Sequence, residues 1–222
     1  MIKSRTLLLV IVAVFTISFL AGCSPAVGAG TAIPDITPLT DEELAFFNGN
    51  DFFNGEYMNI RNQFLSSLYS SPEKIDLFEL FYCGNGLEAN PPTDKEMSAV
   101  LAYLGWDLAD CALEKNSRAN MDEILTRYMG LTLADTDGVG LENMTFLAEH
   151  DAFYHFHGDT NYRLSITFTN GERIGNTIEL YYEDAFYSDG SKVLTLQEVD
   201  GNYFFVSNAL LSERYGTNSN GN

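Results

Sequence analysis

The spacing of apolar residues changes near residue 143, and no other feature constrains the fold of this chain so strongly. Before that point apolar residues recur every three or four positions, the period of helices packed on a core. Thr40 with Glu43 is a capping box that starts a helix carrying Leu44, Phe46 and Phe47. Tyr57, Ile60, Phe64 and Leu68 mark a second helix. Ser71-Pro72-Glu73 opens a third, with Ser71 as cap and Pro72 in the first turn. Its apolar face is Ile75, Phe78, Phe81 and Tyr82, and Gly84 and Gly86 end it. A further capping box, Thr93 with Glu96, precedes Met97, Val100, Leu101 and Leu104 and is closed by Gly105. Asn120 is expected to cap a short helix with Ile124, Leu125 and Tyr128, closed by Gly130.

After the change the pattern belongs to strands. Phe146 and Leu147 precede the aromatic run Phe153, Tyr154 and Phe156, and strands are predicted over residues 164–169, 177–183, 193–199 and 203–206. Asn170-Gly171 and Asp200-Gly201 are tight-turn signals between neighbouring strands. Helices first and strands second predict an α+β domain, with N-terminal helices packed on a C-terminal antiparallel meander of four or five strands. That single domain is expected over residues 39–212. Residues 213–222, which lack an apolar period, are expected to be a disordered tail.

The first residues have a different logic. Lys3 and Arg5 are followed by the uncharged run Leu7 to Leu20, which is shorter than the about 20 residues a membrane-spanning helix needs. A positive start and a short apolar run suit a secretory signal. Leu20-Ala21-Gly22-Cys23 then resembles a bacterial lipobox. The resemblance implies cleavage before Cys23, so that residues 1–22 are a signal peptide. It also implies diacylglycerol on the Cys23 thiol by thioether linkage, and further acylation such as palmitate. Two chains give stable anchoring where one gives only marginal binding. Residues 23–38, rich in Ala, Gly and Pro, are then expected to be a lipidated, flexible tether. The expected location is the extracytoplasmic face of the cell membrane, reached through the lipid on Cys23.

Removing residues 1–22 takes away two basic residues and no acidic one, which leaves ten basic against thirty-one acidic residues and a formal charge of −21. That charge argues against nucleic acid and anionic lipid as partners. It leaves a cationic ligand or a protein partner with a basic surface. An apolar content of 45% and an aromatic content of 13% exclude disorder for most of the chain.

Three sets of residues raise the question of chemistry. The first contains all three histidines, in Glu149-His150-Asp151-Ala152-Phe153-Tyr154-His155-Phe156-His157-Gly158-Asp159. On a strand His155 and His157 point to one face, where a metal would find two imidazoles and, from Asp159, a carboxylate. This H-x-H-x-D string is similar to the first half of the metallo-β-lactamase pattern, but Thr160 stands where that family has a further histidine. The opposing expectation is a strand that ends in a turn at Gly158-Asp159-Thr160-Asn161, with Asp159 bonded to turn backbone. The turn is preferred. A metal-dependent hydrolase built on His155, His157 and Asp159 is the alternative. The second set, Asp135, Asp137, Gly138 and Gly140, has part of a calcium-loop spacing. It has Phe146 at the position of the bidentate glutamate, and a plain loop is expected. The third is Cys83 and Cys111, which export allows to be bridged and which are otherwise buried thiols.

No G-x-S-x-G, P-loop or dinucleotide fingerprint occurs, so no cofactor is expected. The pairs Phe46-Phe47, Phe52-Phe53 and Tyr181-Tyr182 suit either core or the wall of a ligand groove, and core is preferred. The stretches LTDEELAFFN, SPEKIDLFELFY, YHFHGDTN and DGNYFFVSN together resemble a family of uncharacterised lipoproteins of Clostridia-type Gram-positive bacteria. The similarity runs from about Leu39 to Asn208. It implies location and architecture, with neither a reaction nor a ligand. The resulting expectation is a membrane-anchored, non-enzymatic binding or interaction domain.

Overall fold

The computed structural model describes residues 35–54, 59–84, 86, 91–158, 165–184 and 190–215. All of them lie within one compact unit, Pro34–Asn222. Cys23, Tyr57, Asp159 and residues 216–222 fall outside the described residues.

The caps that act over three or four residues form as expected. Helix α1 (Asp41–Phe47) begins at Thr40, whose hydroxyl accepts from the Glu43 N–H while the Glu43 carboxylate accepts from the Thr40 N–H at 2.9 Å. Phe47 is buried, and a π-helical turn over Asn50–Asn54 then places Phe52 and Phe53 in the core. The second helix is shorter than its apolar spacing predicts. Helix α2 covers only Ile60–Gln63, and Phe64 and Leu65 enter the core from the turn that follows. Ser71 and Pro72 start a single 3-10 turn, Pro72–Lys74, rather than the α-helix. Helix α3 (Leu77–Phe81) starts at Asp76, whose carboxylate accepts from the Glu79 N–H at 3.1 Å. Helix α4 (Asp94–Leu104) has the Thr93–Glu96 capping box and ends at Gly105 with φ +71°. The cap of α5 (Arg118–Met129) is Ser117 and not Asn120: the Ser117 hydroxyl accepts from the Asn120 N–H at 3.2 Å.

The strands form two antiparallel sheets. β1 (Ile36–Pro38), β5 (Phe168–Ile174), β6 (Thr177–Glu183), β7 (Ser191–Val199) and β8 (Asn202–Leu210) form a five-stranded sheet in the order β1-β5-β6-β7-β8. β2 (Ala112–Ser117), β3 (Thr145–Leu147) and β4 (Ala152–His157) form a three-stranded sheet in the order β2-β4-β3. A last helix, α6, spans Leu211–Tyr215. The fold class is therefore α+β, with a strand, β2, inside the helical half. The folded bounds are also wider than 39–212. Ile36–Pro38, expected in the tether, pair with Glu172–Ile174, and α6 runs past residue 212 into the expected tail.

Asn170-Gly171 is not a turn. It lies inside β5, next to a register shift between Phe168 and Asn170. A Cβ on Gly171 would come within 2.6 Å of Leu39 Cδ1 and 2.8 Å of the Glu179 carbonyl oxygen, so glycine serves close packing there. The turn falls at Gly175-Asn176 between the paired residues Ile174 and Thr177, with φ +63° at Gly175. Asp200-Gly201 does turn the chain, with φ +51° and +76°, the pair of positive values that a type I′ hairpin requires.

One face of the large sheet presents Phe168, Ile178, Leu180, Tyr182, Leu194, Leu196 and Phe205 to the core. Phe64 stacks on Phe205 with centroids 4.3 Å apart, and Met121, Ile124 and Leu125 of α5 join the same core. A second core, with Val100, Leu113, Leu147, Ala152 and Tyr154, sits between α4 and the small sheet. β4 is thus buried on both faces: Ala152 and Tyr154 face α4, while Phe153 and His155 face the larger core. Burial on both faces is why its sequence is almost unbroken aromatic residue and histidine.

Candidate functional site

The alternation of β4 brings His155 and His157 to one face, as their spacing predicts. What they hold is backbone. His155 Nε2 and His157 Nδ1 each lie 2.9 Å from the carbonyl oxygen of Tyr82, at the end of α3. A carbonyl only accepts, so each ring donates its N–H there, and His155 Nδ1 is left as an acceptor. That atom is buried and has no hydrogen-bond partner among the described residues. The Tyr82 ring lies against both imidazoles, with centroids 5.3 Å from His155 and 4.8 Å from His157, and its hydroxyl accepts from the Gly158 N–H at 3.2 Å. Burial lowers the pKa of His155 and outweighs the opposing effect of the Tyr82 carbonyl; the neighbouring His157 lowers it further. His155 is therefore a neutral donor that fastens α3 to β4.

For either imidazole to bind a metal through the same nitrogen, it would have to release Tyr82. The expected third ligand and turn residue, Asp159, lies outside the described residues. Among the described residues no group of three or more His, Cys, Asp and Glu side chains is placed to hold a metal ion.

Beside this clamp is a groove of about 370 Å³ lined by Gln63, Ser66, Phe78, Glu79, Tyr82 and Cys83. Burial pushes the Cys83 thiol up to about 11, helped by the nearby carboxylates of Glu114 and Glu79. Burial and then Asp76 raise the Glu79 carboxyl as well. The groove therefore holds its thiol protonated, the wrong state for a nucleophile. Cys83 and Cys111 both carry free thiols, Cys83 half-buried and Cys111 exposed.

A third cluster centres on Glu96. Glu96, only 2% exposed, accepts on Oε1 from the Tyr154 hydroxyl at 2.6 Å and pairs there with Lys115 Nζ at 2.6 Å. Its Oε2 accepts from the Thr93 N–H and hydroxyl at 2.7 and 2.9 Å, and His150 Nδ1 lies 3.7 Å from Oε1. Burial acts to raise the Glu96 carboxyl. The bonds from Lys115, Tyr154 and Thr93 outweigh it and hold the group well below the usual carboxylate range. Tyr154 is pushed up by burial and by the Glu96 carboxylate. The only sequence signal was the capping box, which names Glu96 and Thr93 but not the strand β2 that brings Lys115.

A pocket of about 790 Å³ lies on the five-stranded sheet. Glu172, Glu183, Tyr181, Asn170, Ser191 and the buried Lys192 line it, and Tyr181 donates its hydroxyl to Glu179 at 2.9 Å. Of the aromatic pairs, Phe47, Phe52, Phe53 and Tyr182 are core, whereas Phe46 is 44% exposed and Tyr181 lines this pocket. Among the described residues no helix is long and apolar enough to cross a membrane.

Compared with protein-family models, with curated proteins and with solved structures, the chain matches none.

Proposed function

We propose that this chain is a lipoprotein held by the lipid on Cys23 at the extracytoplasmic face of the cell membrane, where its folded domain binds a partner without chemistry. The observation that carries the reading is the order of the first residues: Lys3 and Arg5, the apolar run to Leu20, then Ala21, Gly22 and Cys23. Twelve residues, 24–35, separate Cys23 from the first strand. Processing before Cys23 leaves the whole domain on the acylated chain.

Support for binding over catalysis comes from the state of the reactive groups. His155 and His157 are committed to the Tyr82 carbonyl, and Cys83 is held as a thiol. The partner that suits a chain of this charge is cationic. The carboxylates of Glu172 on β5 and Glu183 on β6, with the ring of Tyr181 on β6, give the pocket of about 790 Å³ the chemistry to accept an ammonium or guanidinium group, while the pocket's own cation, the buried Lys192, is paired with Asp184 at 3.8 Å.

The test is the Cys23→Ala variant, expressed in a bacterium that processes lipoproteins and fed a fatty-acid probe. The expected outcome is an unprocessed precursor with no label. Acyl label on that variant would overturn the assignment. Binding is tested separately, by titrating a basic peptide into the wild type and into Glu172→Gln/Glu183→Gln.

A further inference from the structure

Where α1, the π-helical turn, α2, α5 and the β7–β8 hairpin meet, Phe46, Phe52, Arg61, Tyr128 and Tyr203 line a groove of about 400 Å³. Arg61 lies between two of its rings, 4.9 Å from the centroid of Phe52 and 5.3 Å from that of Tyr128. Among the described residues no carboxylate, carbonyl or hydroxyl bonds or pairs with its guanidinium. The second cation on the groove wall, Arg127, is different, because it is paired with Glu123 one helical turn away. Asp51 also lines the groove yet makes no ion pair with Arg61.

A guanidinium has five N–H donors in a planar fork that matches a carboxylate. Stacking between aromatic faces satisfies the faces of the group and leaves the in-plane donors without acceptors. In a chain with thirty-one acidic residues, a half-buried arginine that pairs with none of the described ones has its in-plane donors available to an anion from outside. The rest of the wall says what the anion carries. Phe46 is 44% exposed and lies 5.8 Å from the Tyr203 ring, so an apolar or aromatic body has a surface to rest on. The volume falls in the roughly 300–1,000 Å³ range of small-molecule sites. Asp51 and the net charge of −19 penalise a dianion such as phosphate more than a monoanion.

We infer that this groove is a binding site for a small monocarboxylate with an apolar body, its carboxylate on the Arg61 fork and its body against Phe46 and Tyr203. The site is separate from the acidic pocket and does not depend on lipidation of Cys23.

Isothermal titration of the full-length chain in detergent tests it, with 3-phenylpropionate, its primary amide, N-acetylphenylalanine and inorganic phosphate as probes. The acid is expected to bind at least about tenfold more tightly than its amide or phosphate, the ratio of one charge-assisted hydrogen-bonded pair. Arg61→Met keeps an apolar side chain between Phe52 and Tyr128, so it is expected to melt like the wild type and lose the preference for acid over amide. Asp51→Asn removes the repulsion and is expected to tighten binding of the acid. Tighter binding of N-acetylphenylalanine than of 3-phenylpropionate assigns the carboxylate to a peptide C-terminus, and the reverse order to a free acid. Equal binding of acid and amide, undiminished binding by Arg61→Met, or no binding of either acid at millimolar concentration overturns the proposal. The comparison of acid with amide and the Asp51→Asn variant decide the matter even if Arg61→Met fails to fold.

Discussion

The side-chain amide of Asn54 takes both backbone groups of Ile166: Oδ1 accepts the Ile166 N–H at 2.7 Å, and Nδ2 donates to the Ile166 carbonyl at 2.8 Å. Asn48 does the same for Phe168, at 2.8 and 3.0 Å. Two asparagines thus stand in for a neighbouring strand along the segment that leads into β5. The π-helical turn between them is sealed in a related way, since Asn59 and Asn62 donate to the carbonyls of Phe52 and Phe53 at 2.7 and 2.8 Å. These amides join the first helices to the large sheet.

Replacing Asn54 with Leu should therefore strand a buried donor and acceptor. The expected loss is about 2–6 kcal/mol, from two unmade bonds of about 1–3 kcal/mol each. Chemical denaturation of the variant measures it. A loss below about 0.5 kcal/mol, the level of ordinary surface substitutions, would mean that Asn54 does not hold that segment.

Gly140 carries a second structural demand. It has φ +84°, and a Cβ there would lie 2.2 Å from Asp76 Oδ1 and 2.8 Å from the Phe78 nitrogen. The same loop accepts the Leu77 N–H on the Val139 carbonyl at 2.8 Å. Gly140→Ala is expected to disturb the Asp76 cap of α3 and to lower stability by more than the about 1 kcal/mol of a lost cap alone. Gly105→Ala, also at positive φ but with open space around it, is the control and should be the milder change.

Acid should weaken the fold in two stages. His155 has a folded-state pKa below its unfolded value, so the unfolded chain takes up the proton first. Its contribution is present above about pH 6.5 and declines as the pH falls below that value. Glu96 is also depressed, and its contribution is present above about pH 4.3 and is lost as the pH falls further towards its folded value. Glu96→Gln should remove the second stage and lower stability near neutrality by about 3 kcal/mol, because Lys115 loses its carboxylate in a largely buried site. A variant that keeps the full acid dependence below pH 4.3 would show that other carboxylates carry it.

The two thiols should separate by reactivity. Cys111 is exposed, whereas burial and nearby carboxylates keep Cys83 protonated at neutral pH. Iodoacetamide at pH 7.5 is expected to label Cys111 first, and mass spectrometry of the digest reads the order. Labelling of Cys83 at an equal or faster rate would contradict its environment.

The histidine clamp predicts indifference to chelators. His157→Ala removes one donor to the Tyr82 carbonyl and should lower stability by about 1 kcal/mol, with melting curves that coincide with and without chelator. A chelator-dependent drop in the melting temperature of the wild type that is absent from the variant would return the cluster to metal chemistry.

What the sequence by itself determined lies within a few residues along the chain. The capping boxes at Thr40 and Thr93, the left-handed ends at Gly105 and Gly130, and the Asp200-Gly201 hairpin all form, because both partners are held close by the chain and need no distant surface. The α+β class was also legible, since apolar periods of helix and strand survive whatever packs against them. Tertiary structure decided the rest. Asn170-Gly171 has turn chemistry, but Leu39 and β6 approach so closely that Gly171 stays in the ladder. Ser117 displaces Asn120 as a cap because β2 runs up to it and pairs with β4, a strand far along the chain. His155 and His157 share a face by local alternation alone. That the face meets the Tyr82 carbonyl, 73 and 75 positions away, depends on where α3 lies over β4. Glu96 is a helix cap by its neighbours and a buried ionic anchor only because Lys115 and Tyr154 arrive from the strands β2 and β4. Pairings of that kind require distant segments to meet, and a one-dimensional period has no record of which faces do.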